Sequence, residues 1–234
     1  MRCAIYFTPA AEHALTSAAA QWLRRNPYSG ARIDAEIEGL VPEDHAYLTA
    51  PVRRFGFHGP LKPAFSLATG ERLSEIADSL KRFCARLQPI VVPKLDIGFI
   101  ERSFALVTPE RLPELEALAA SLTIEFDRFR APLSERDIAR QSGMRLNPRQ
   151  LSNLSDWGHP NVFDQFRFQM PLTGQIDELE REHVAQVLAR HFKAHLGVPM
   201  LIDQVALFVE PETNAPFCVS SVHPFSRRRA RRAA

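Results

Sequence analysis

Two stretches of this 234-residue chain repeat one pattern, and they determine most of what the sequence predicts. The first is Phe55-Gly56-Phe57-His58-Gly59-Pro60-Leu61-Lys62, and the second is Phe166-Arg167-Phe168-Gln169-Met170-Pro171-Leu172-Thr173. Alternate side chains of a strand share a face, so the two Phe of each copy point one way and His58 or Gln169 points the other. The pattern therefore predicts two strands that bury their Phe side chains and direct His58 and Gln169 into a shared cleft.

The elements around the two stretches follow one order, strand, helix, strand, strand. The predicted strands are 3–7, 54–67, 90–97, 103–107, 163–175, 200–209 and 217–222, and the predicted helices are 10–25, 74–87, 112–129, 148–157 and 176–196. Residues 98–102 suit a hairpin connection, and the polar stretch 31–51 is interpreted mainly as loop. The sequence thus predicts an α+β fold of two pseudo-symmetric lobes, each a small antiparallel sheet with helices, around a central cleft.

Changes in composition along the chain suggest boundaries within one bilobal domain. We place the first lobe at 1–129, a helical insertion or lid at 130–160, the second lobe at 161–225 and a basic disordered tail at 226–234. The insertion is rich in Arg, Ser and Asn and holds two short helical candidates, 134–140 and 148–157.

The composition is that of a globular protein, with 45% hydrophobic and 24% charged residues. No apolar run is long enough for a membrane span, and Glu12 and His13 interrupt any signal-peptide core, so membrane insertion and secretion are not expected. Cys3, Cys84 and Cys218 are spaced too widely for a zinc motif or a disulfide framework. A reducing cytoplasm is the expected location.

Five arginines lie in the last eight residues, and without them 24 basic residues face 27 acidic ones. The remaining chain is slightly acidic, so a globally basic nucleic-acid surface is not implied. The tail is interpreted as a solvated end, with electrostatic RNA or lipid contact as the alternative.

The repeat resembles the paired His-x-Thr motifs of the 2H phosphoesterase superfamily, which contains RNA ligase-like proteins and cyclic phosphodiesterases. Further stretches resemble the branch encoded with phosphonate-utilisation operons, a family of unknown function; they are 1–9, 56–63, 126–133, 166–174 and 206–211. The resemblance implies a cleft that needs no metal or cofactor, a small phosphorylated ligand or RNA end, and no obligate protein partner.

In the chemistry that this resemblance implies, one His is the general base, the facing His is the general acid, and two Thr hydroxyls bind the phosphate. His58 stands at the first His position and Gln169 at the second, while Pro60 and Pro171 stand at the Thr positions. Gln transfers no proton near neutral pH, and Pro offers neither hydroxyl nor N–H. The resemblance therefore implies a cyclic phosphodiesterase of weakened or lost activity; the alternative is a non-catalytic binder of a phosphorylated sugar, nucleotide or RNA end.

Five further residues are predicted to bind substrate. Lys62 lies four residues after His58 and is expected on the same strand face, and Thr173 keeps a hydroxyl near the second motif. Tyr6 on the first strand faces either core or cleft, and the resemblance favours the cleft. Arg128 and Arg130 either hold a phosphate or form a solvated helix end.

Three other histidines have two interpretations each. His159 supplies the missing acid if the insertion folds over the cleft, but an ordinary loop residue beside Pro160 is the favoured interpretation. His191 and His195 have the i, i+4 spacing that zinc sites use, but no third ligand is evident, so a helix-end pair is favoured.

Overall fold

The computed structural model describes residues 1–135, 137–138 and 145–226. Part of the helical candidate at 134–140 and nearly all of the tail at 226–234 lie outside the described residues. Among those described, no helix is long and apolar enough to cross a membrane.

The described chain contains both strands and helices, with two runs of three successive strands. The strands are β1 Arg2–Phe7, β2 Gly59–Ser66, β3 Ile90–Val92, β4 Asp96–Ile100, β5 Ser103–Val107, β6 Gln169–Pro171, β7 Met200–Ile202, β8 Gln204–Glu210 and β9 Cys218–Pro224. The α-helices are α1 Ala14–Trp22, α2 Pro42–Arg53, α3 Leu73–Cys84, α4 Pro113–Phe126, α5 Pro148–Trp157 and α6 Arg181–His191. The α+β fold class with antiparallel sheets is confirmed.

Each copy of the repeat lies on an edge strand of its own sheet. One sheet has the order β2-β1-β8-β9 and the other β4-β5-β6, while β3 and β7 form a separate pair. The first copy begins just before β2 and the second surrounds β6. Proline is tolerated on edge strands because one side of the strand makes no ladder hydrogen bonds, which accounts for Pro60 and Pro171 within strands.

Each of the two larger sheets combines strands from both predicted lobes, which the boundaries 1–129 and 161–225 did not anticipate. β8, from the second half, pairs with β1, and β5, from the first half, pairs with β6. The cause lies in β1, whose residues 3–7 are all buried and which takes partners along both edges. Local patterns specify hairpins such as β8–β9 but not this long-range pairing.

The repeated apolar positions form part of one core. Phe57, Leu61, Phe168 and Leu172 are all buried. Phe168 packs against Gly59, where a Cβ would lie only 2.6 Å from the ring, so the two motif strands approach closely. The Trp22 indole N–H also donates to the Leu172 carbonyl at 2.8 Å, which ties α1 to the second copy.

Helix α2 shows that the interpretation of 31–51 mainly as loop was wrong from Pro42 onward, whereas residues 31–41 contain no helix. Pro42 begins the helix, and Glu43 and Asp44 favour the positive end of its dipole. Its buried face contains His45 and Thr49 beside Leu48. Because polar residues occupy buried positions, the sequence lacks the apolar periodicity from which a helix is predicted.

Three strand predictions also need correction. The predicted strand 54–67 begins only at Gly59, because residues 54–58 form a turn after α2 in which Gly56 has a φ of 70°. Only Gln169–Pro171 of the predicted strand 163–175 is extended strand, because residues 163–165 form a 3-10 turn in which Phe163 has a φ of 54°. In the β4–β5 hairpin, Gly98 belongs to β4, and the turn is made by Glu101 and Arg102, both with positive φ.

Candidate functional site

A cleft of about 620 Å³ brings the two copies of the repeat together. The positions that correspond in the two motifs, His58 with Gln169 and Pro60 with Pro171, all line it. His58 immediately precedes β2 and Pro60 lies within it, while Gln169 and Pro171 come from β6. The structure therefore places the paired motif positions on one shared surface.

His58 is held in one neutral tautomer. Its Nδ1 lies 2.9 Å from the Gly56 carbonyl oxygen, and because that oxygen only accepts, Nδ1 carries the hydrogen and Nε2 is left with a lone pair. The ring is 4% exposed and stacks on Tyr6 at 4.2 Å between centroids. Burial lowers the pKa of His58 to about 4, against a weaker opposing effect of the Gly56 hydrogen bond. At neutral pH His58 is a neutral hydrogen-bond acceptor.

Tyr6 takes part in both core and cleft. It is buried and lines the cleft, where it packs against Phe208 at 5.1 Å in a small cluster with Phe217 and two alanines. Burial raises the pKa of Tyr6 above its usual value, so the phenol stays protonated. Its principal role in the structure is to support the His58 ring.

Lys62, predicted to share the face of His58, points elsewhere. Pairing shifts by one residue between Tyr6↔Pro60 and Ile5↔Lys62, and this bulge turns Lys62 to the opposite face of β2. Its ammonium is buried, donates to the Thr123 carbonyl at 3.2 Å and pairs with Asp127 at 3.4 Å. Burial lowers the pKa of Lys62 to about 8, although Asp127 acts in the opposite direction.

Thr173 and Arg128 also lie off the cleft wall. The Thr173 hydroxyl accepts from the Phe104 N–H at 2.9 Å and donates to the Gly174 carbonyl at 2.8 Å, so it is occupied within the core. Arg128 lies over the Phe129 ring and donates to Ser79 at 3.0 Å. Thr173 lies two residues beyond the end of β6, and the pattern of the second motif indicated none of these partners.

Arg130 is the predicted arginine that does line the cleft. Asp127 accepts from its Nε and Nη2 at 2.8 and 3.1 Å, and the Asp156 carbonyl accepts a further hydrogen bond at 2.9 Å. The guanidinium is thereby fixed beside the loop that follows α5. Such a preorganised group is suited to an anion, because little side-chain entropy remains to be lost on binding.

The sequence pattern missed Arg2, Arg54 and Arg167, which also line the cleft. Arg2 and Arg54 both pair with Glu210, whose side chain is completely buried. Arg2, Arg54 and Glu210 meet only because β8 pairs with β1, so no local motif indicated them, whereas Arg167 lies within the second copy of the repeat.

His159 lies on the cleft wall beside Arg130, as the less favoured interpretation of the insertion required. For the helix-end pair, the structure shows His191 Nε2 donating to the Ala18 carbonyl at 2.8 Å. Among the residues described, no group of three possible metal ligands is found.

Comparison with known proteins identifies the family. The family described as "Protein of unknown function (DUF1045)" matches residues 60–218. The chain belongs to this family. It is also 32% identical over 230 residues to "Ribose 1,5-bisphosphate phosphokinase PhnN" of Janthinobacterium sp. (strain Marseille), covering 96% of this chain and 51% of the relative. A protein of the same name from Laribacter hongkongensis (strain HLHK9) is 28% identical over 220 residues, covering 93% and 50%.

The chain therefore spans about half the length of these curated relatives. Among solved structures, E. coli LigT in apo form has 12% identity and a TM-score of 0.44, over 97% of this chain and 98% of that one. E. coli LigT complexed with NADP+ has 13% identity and a TM-score of 0.42 over the same shares. Similarity at this level assigns neither ligand nor activity to this chain.

Proposed function

We propose that the cleft binds a phosphate ester and that the chain is a 2H-type phosphoesterase-like protein of phosphonate metabolism with an incomplete histidine pair. The proposed ligand is a phosphorylated sugar, a nucleotide or an RNA end, bound in the cytoplasm without metal or cofactor. The observation that carries the proposal is that both repeat copies direct their paired polar positions, His58 and Gln169, into one cleft whose wall also holds arginines.

Guanidinium groups support an anionic ligand. Those of Arg2, Arg54, Arg130 and Arg167 line the cleft. Guanidinium groups match phosphate oxygens in geometry and stay charged at every physiological pH. Glu210 pairs with Arg2 and Arg54, Asp127 pairs with Arg130, and Glu101 and Asp137 also line the cleft, so the support comes from this donor geometry and not from an excess of positive charge.

The chemistry of the motif positions favours binding over turnover. Gln169 still donates and accepts hydrogen bonds, but it supplies no acid, and the two prolines supply no hydroxyl. General acid–base assistance is typically worth about 10²–10⁴-fold in rate. A cleft without its second histidine therefore keeps more of its affinity than of its catalysis.

The curated relatives favour a sugar phosphate among the possible ligands. Their name gives ribose 1,5-bisphosphate as the compound they act on, and this chain matches about half of their length. We extend to this chain only the ligand class, a phosphorylated ribose.

Hydrolysis of a cyclic phosphodiester is the second candidate function. It is favoured by the free lone pair on His58 Nε2, which is the atom that would take a proton from an attacking water. The pKa of about 4 makes this imidazole a weak base, so we expect slow turnover at most.

Calorimetric titration with ribose 5-phosphate, 3′-AMP and 2′,3′-cyclic AMP tests the proposal. We expect at least one to bind with a dissociation constant below about 1 mM, and Arg130→Gln to weaken it about tenfold. Arg128→Gln is the matched control, because Arg128 adjoins the same turn but lies off the cleft, and it should bind like the native chain.

Phosphorus NMR on the cyclic nucleotide then separates the two candidates, since turnover that disappears in His58→Ala establishes hydrolysis. Absence of binding by all three ligands, or equal loss in both arginine variants, contradicts the proposal.

A further inference from the structure

His159 lies on the wall of the cleft that also contains His58, in a loop that hydrogen bonds hold in place. It follows Gly158, which ends α5 in a left-handed conformation (φ 76°) with its N–H donated to the Leu154 carbonyl at 3.0 Å. The buried Asn153 side chain donates to the carbonyls of Pro160 and Val162, at 3.1 and 3.2 Å. The loop that carries His159 is therefore anchored on both sides of the residue.

The two cleft histidines have opposite tautomers. The Asn161 backbone N–H donates to His159 Nδ1 at 3.1 Å, so Nδ1 carries no hydrogen and Nε2 of the neutral ring does. His58 is the reverse, with its hydrogen on Nδ1 and a lone pair on Nε2. Neither Nε2 atom has a hydrogen-bond partner within the described ranges. The cleft thus offers one free imidazole acceptor and one free imidazole donor.

The surroundings of His159 keep it neutral. Burial first, and then the Lys62 ammonium, lower its pKa to about 4. The other charged groups at this place are Arg130, which lines the cleft next to it, and Asp127, which neutralises part of the charge of both Lys62 and Arg130. At neutral pH, His159 donates one hydrogen bond without adding a positive charge.

We propose that His159 is a ligand-binding residue whose Nε2–H donates to a phosphate oxygen, while His58 Nε2 accepts from a hydroxyl of the same ligand. This inference rests on the proposed function and narrows it to phosphate monoesters that carry free hydroxyl groups, such as sugar phosphates. A fully esterified phosphate, or one without a free hydroxyl group, accepts the hydrogen bond from His159 Nε2–H but leaves His58 Nε2 without a donor. Arg130, adjacent to His159, supplies the charge that brings the phosphate to this end of the cleft.

Long-range proton–nitrogen NMR spectra of the ¹⁵N-histidine-labelled chain test the tautomers directly. At pH 8 we expect the Nδ1–H form for His58 and the Nε2–H form for His159, assigned by comparison with His58→Phe and His159→Phe. A His159 signal of the Nδ1–H form overturns the inference whatever the ligand.

Calorimetry at pH 8 tests the contacts with two probes, ribose 5-phosphate and methyl phosphate. Methyl phosphate is a dianion without a hydroxyl hydrogen at that pH, since its second pKa is about 6. We expect His159→Phe to weaken both about tenfold, as loss of one charge-assisted hydrogen bond does. We expect His58→Phe to weaken only the sugar phosphate, and His159→Gln, which keeps a donor, to retain most of the affinity.

The outcomes separate this inference from the function on which it rests. If the native chain binds ribose 5-phosphate and His159→Phe binds both probes equally well, the role of His159 is overturned and the phosphate cleft stands. If the native chain binds neither these probes nor a nucleotide, the proposed function fails, and this inference with it. Thermal unfolding of each variant confirms that a loss of affinity is not a loss of fold.

Discussion

Replacing Asp127 with Asn should lower the free energy of unfolding, because Asp127 balances the positive charges of Lys62 and Arg130 beneath the cleft. Asp127 faces the Lys62 ammonium at 3.4 Å and the Arg130 guanidinium at 2.8 Å. The pKa of Lys62 falls from 10.5 to about 8 even with this carboxylate present, a shift worth about 3 kcal/mol of unfavourable burial. Without the carboxylate, a buried ammonium and a guanidinium remain next to each other.

The expected loss of unfolding free energy follows from the burial of the pair. Breaking a buried ion pair costs roughly 3–5 kcal/mol, and since the Asp127 side chain is 24% exposed, we expect about 2–4 kcal/mol for Asp127→Asn. Lys62→Met, which keeps the length of the side chain and leaves Asp127 with Arg130, should be neutral or stabilising. In the Lys62→Met background, Asp127→Asn should cost about 1 kcal/mol.

Urea unfolding at pH 7, followed by fluorescence and circular dichroism, measures the four free energies of this cycle. A coupling energy below about 0.5 kcal/mol, or a Lys62→Met variant destabilised by more than about 2 kcal/mol, would contradict the expected role of this ion pair. The first result would mean that Lys62 and Asp127 do not interact, and the second that the ammonium itself stabilises the fold.

Four other perturbations have defined results. His58 takes up a proton near pH 6.5 in the unfolded chain but only near pH 4 when folded, so the unfolding free energy should fall as pH drops from 6.5 to 4. His58→Gln should flatten this dependence by up to about 3 kcal/mol, and an equally steep profile would contradict the burial of His58. Trp22→Phe leaves the Leu172 carbonyl without its donor and should cost about 2–4 kcal/mol in urea unfolding; a loss below about 0.5 kcal/mol would mean that the contact is dispensable. Glu210→Gln removes the fully buried carboxylate shared by Arg2 and Arg54 and should cost about 2–4 kcal/mol, whereas unchanged stability would show that water replaces it. Calorimetry on Lys62→Met at pH 8 should show unchanged affinity for ribose 5-phosphate. A tenfold loss of affinity would indicate that Lys62 contributes to ligand binding in the cleft.

Strand alternation accounts for only part of the site. Phe57 and Phe168 are buried and His58 and Gln169 line the cleft, as the pattern predicted, but Phe55 and Phe166 line it too, and residues 55–58 lie before β2 and not in a strand. Alternation failed at Lys62, because a one-residue bulge against β1 reverses the faces beyond Pro60. Bulges are set by the paired strand, so the sequence of β2 alone does not contain this information.

Long-range pairing accounts for what the sequence missed. Arg2 and Arg54 reach the cleft beside Glu210 only because β8 pairs with β1 from the far end of the chain. In the same way, His159 meets the cleft because Arg130 and Asn153 anchor the end of α5. Helix α2 was missed for a local reason, since its buried His45 and Thr49 break the apolar period.

If the two repeat copies form one phosphoester cleft, restoring the His and Thr residues of the motif should restore catalysis. We would compare hydrolysis of 2′,3′-cyclic AMP by the native chain and by the triple variant Pro60→Thr, Gln169→His, Pro171→Thr. The arrangement of His58 opposite position 169 predicts that the triple variant turns over the cyclic ester at least about 100-fold faster than the native chain, and that adding His58→Ala abolishes this gain. A folded triple variant that neither binds nor hydrolyses the cyclic ester would contradict the claim.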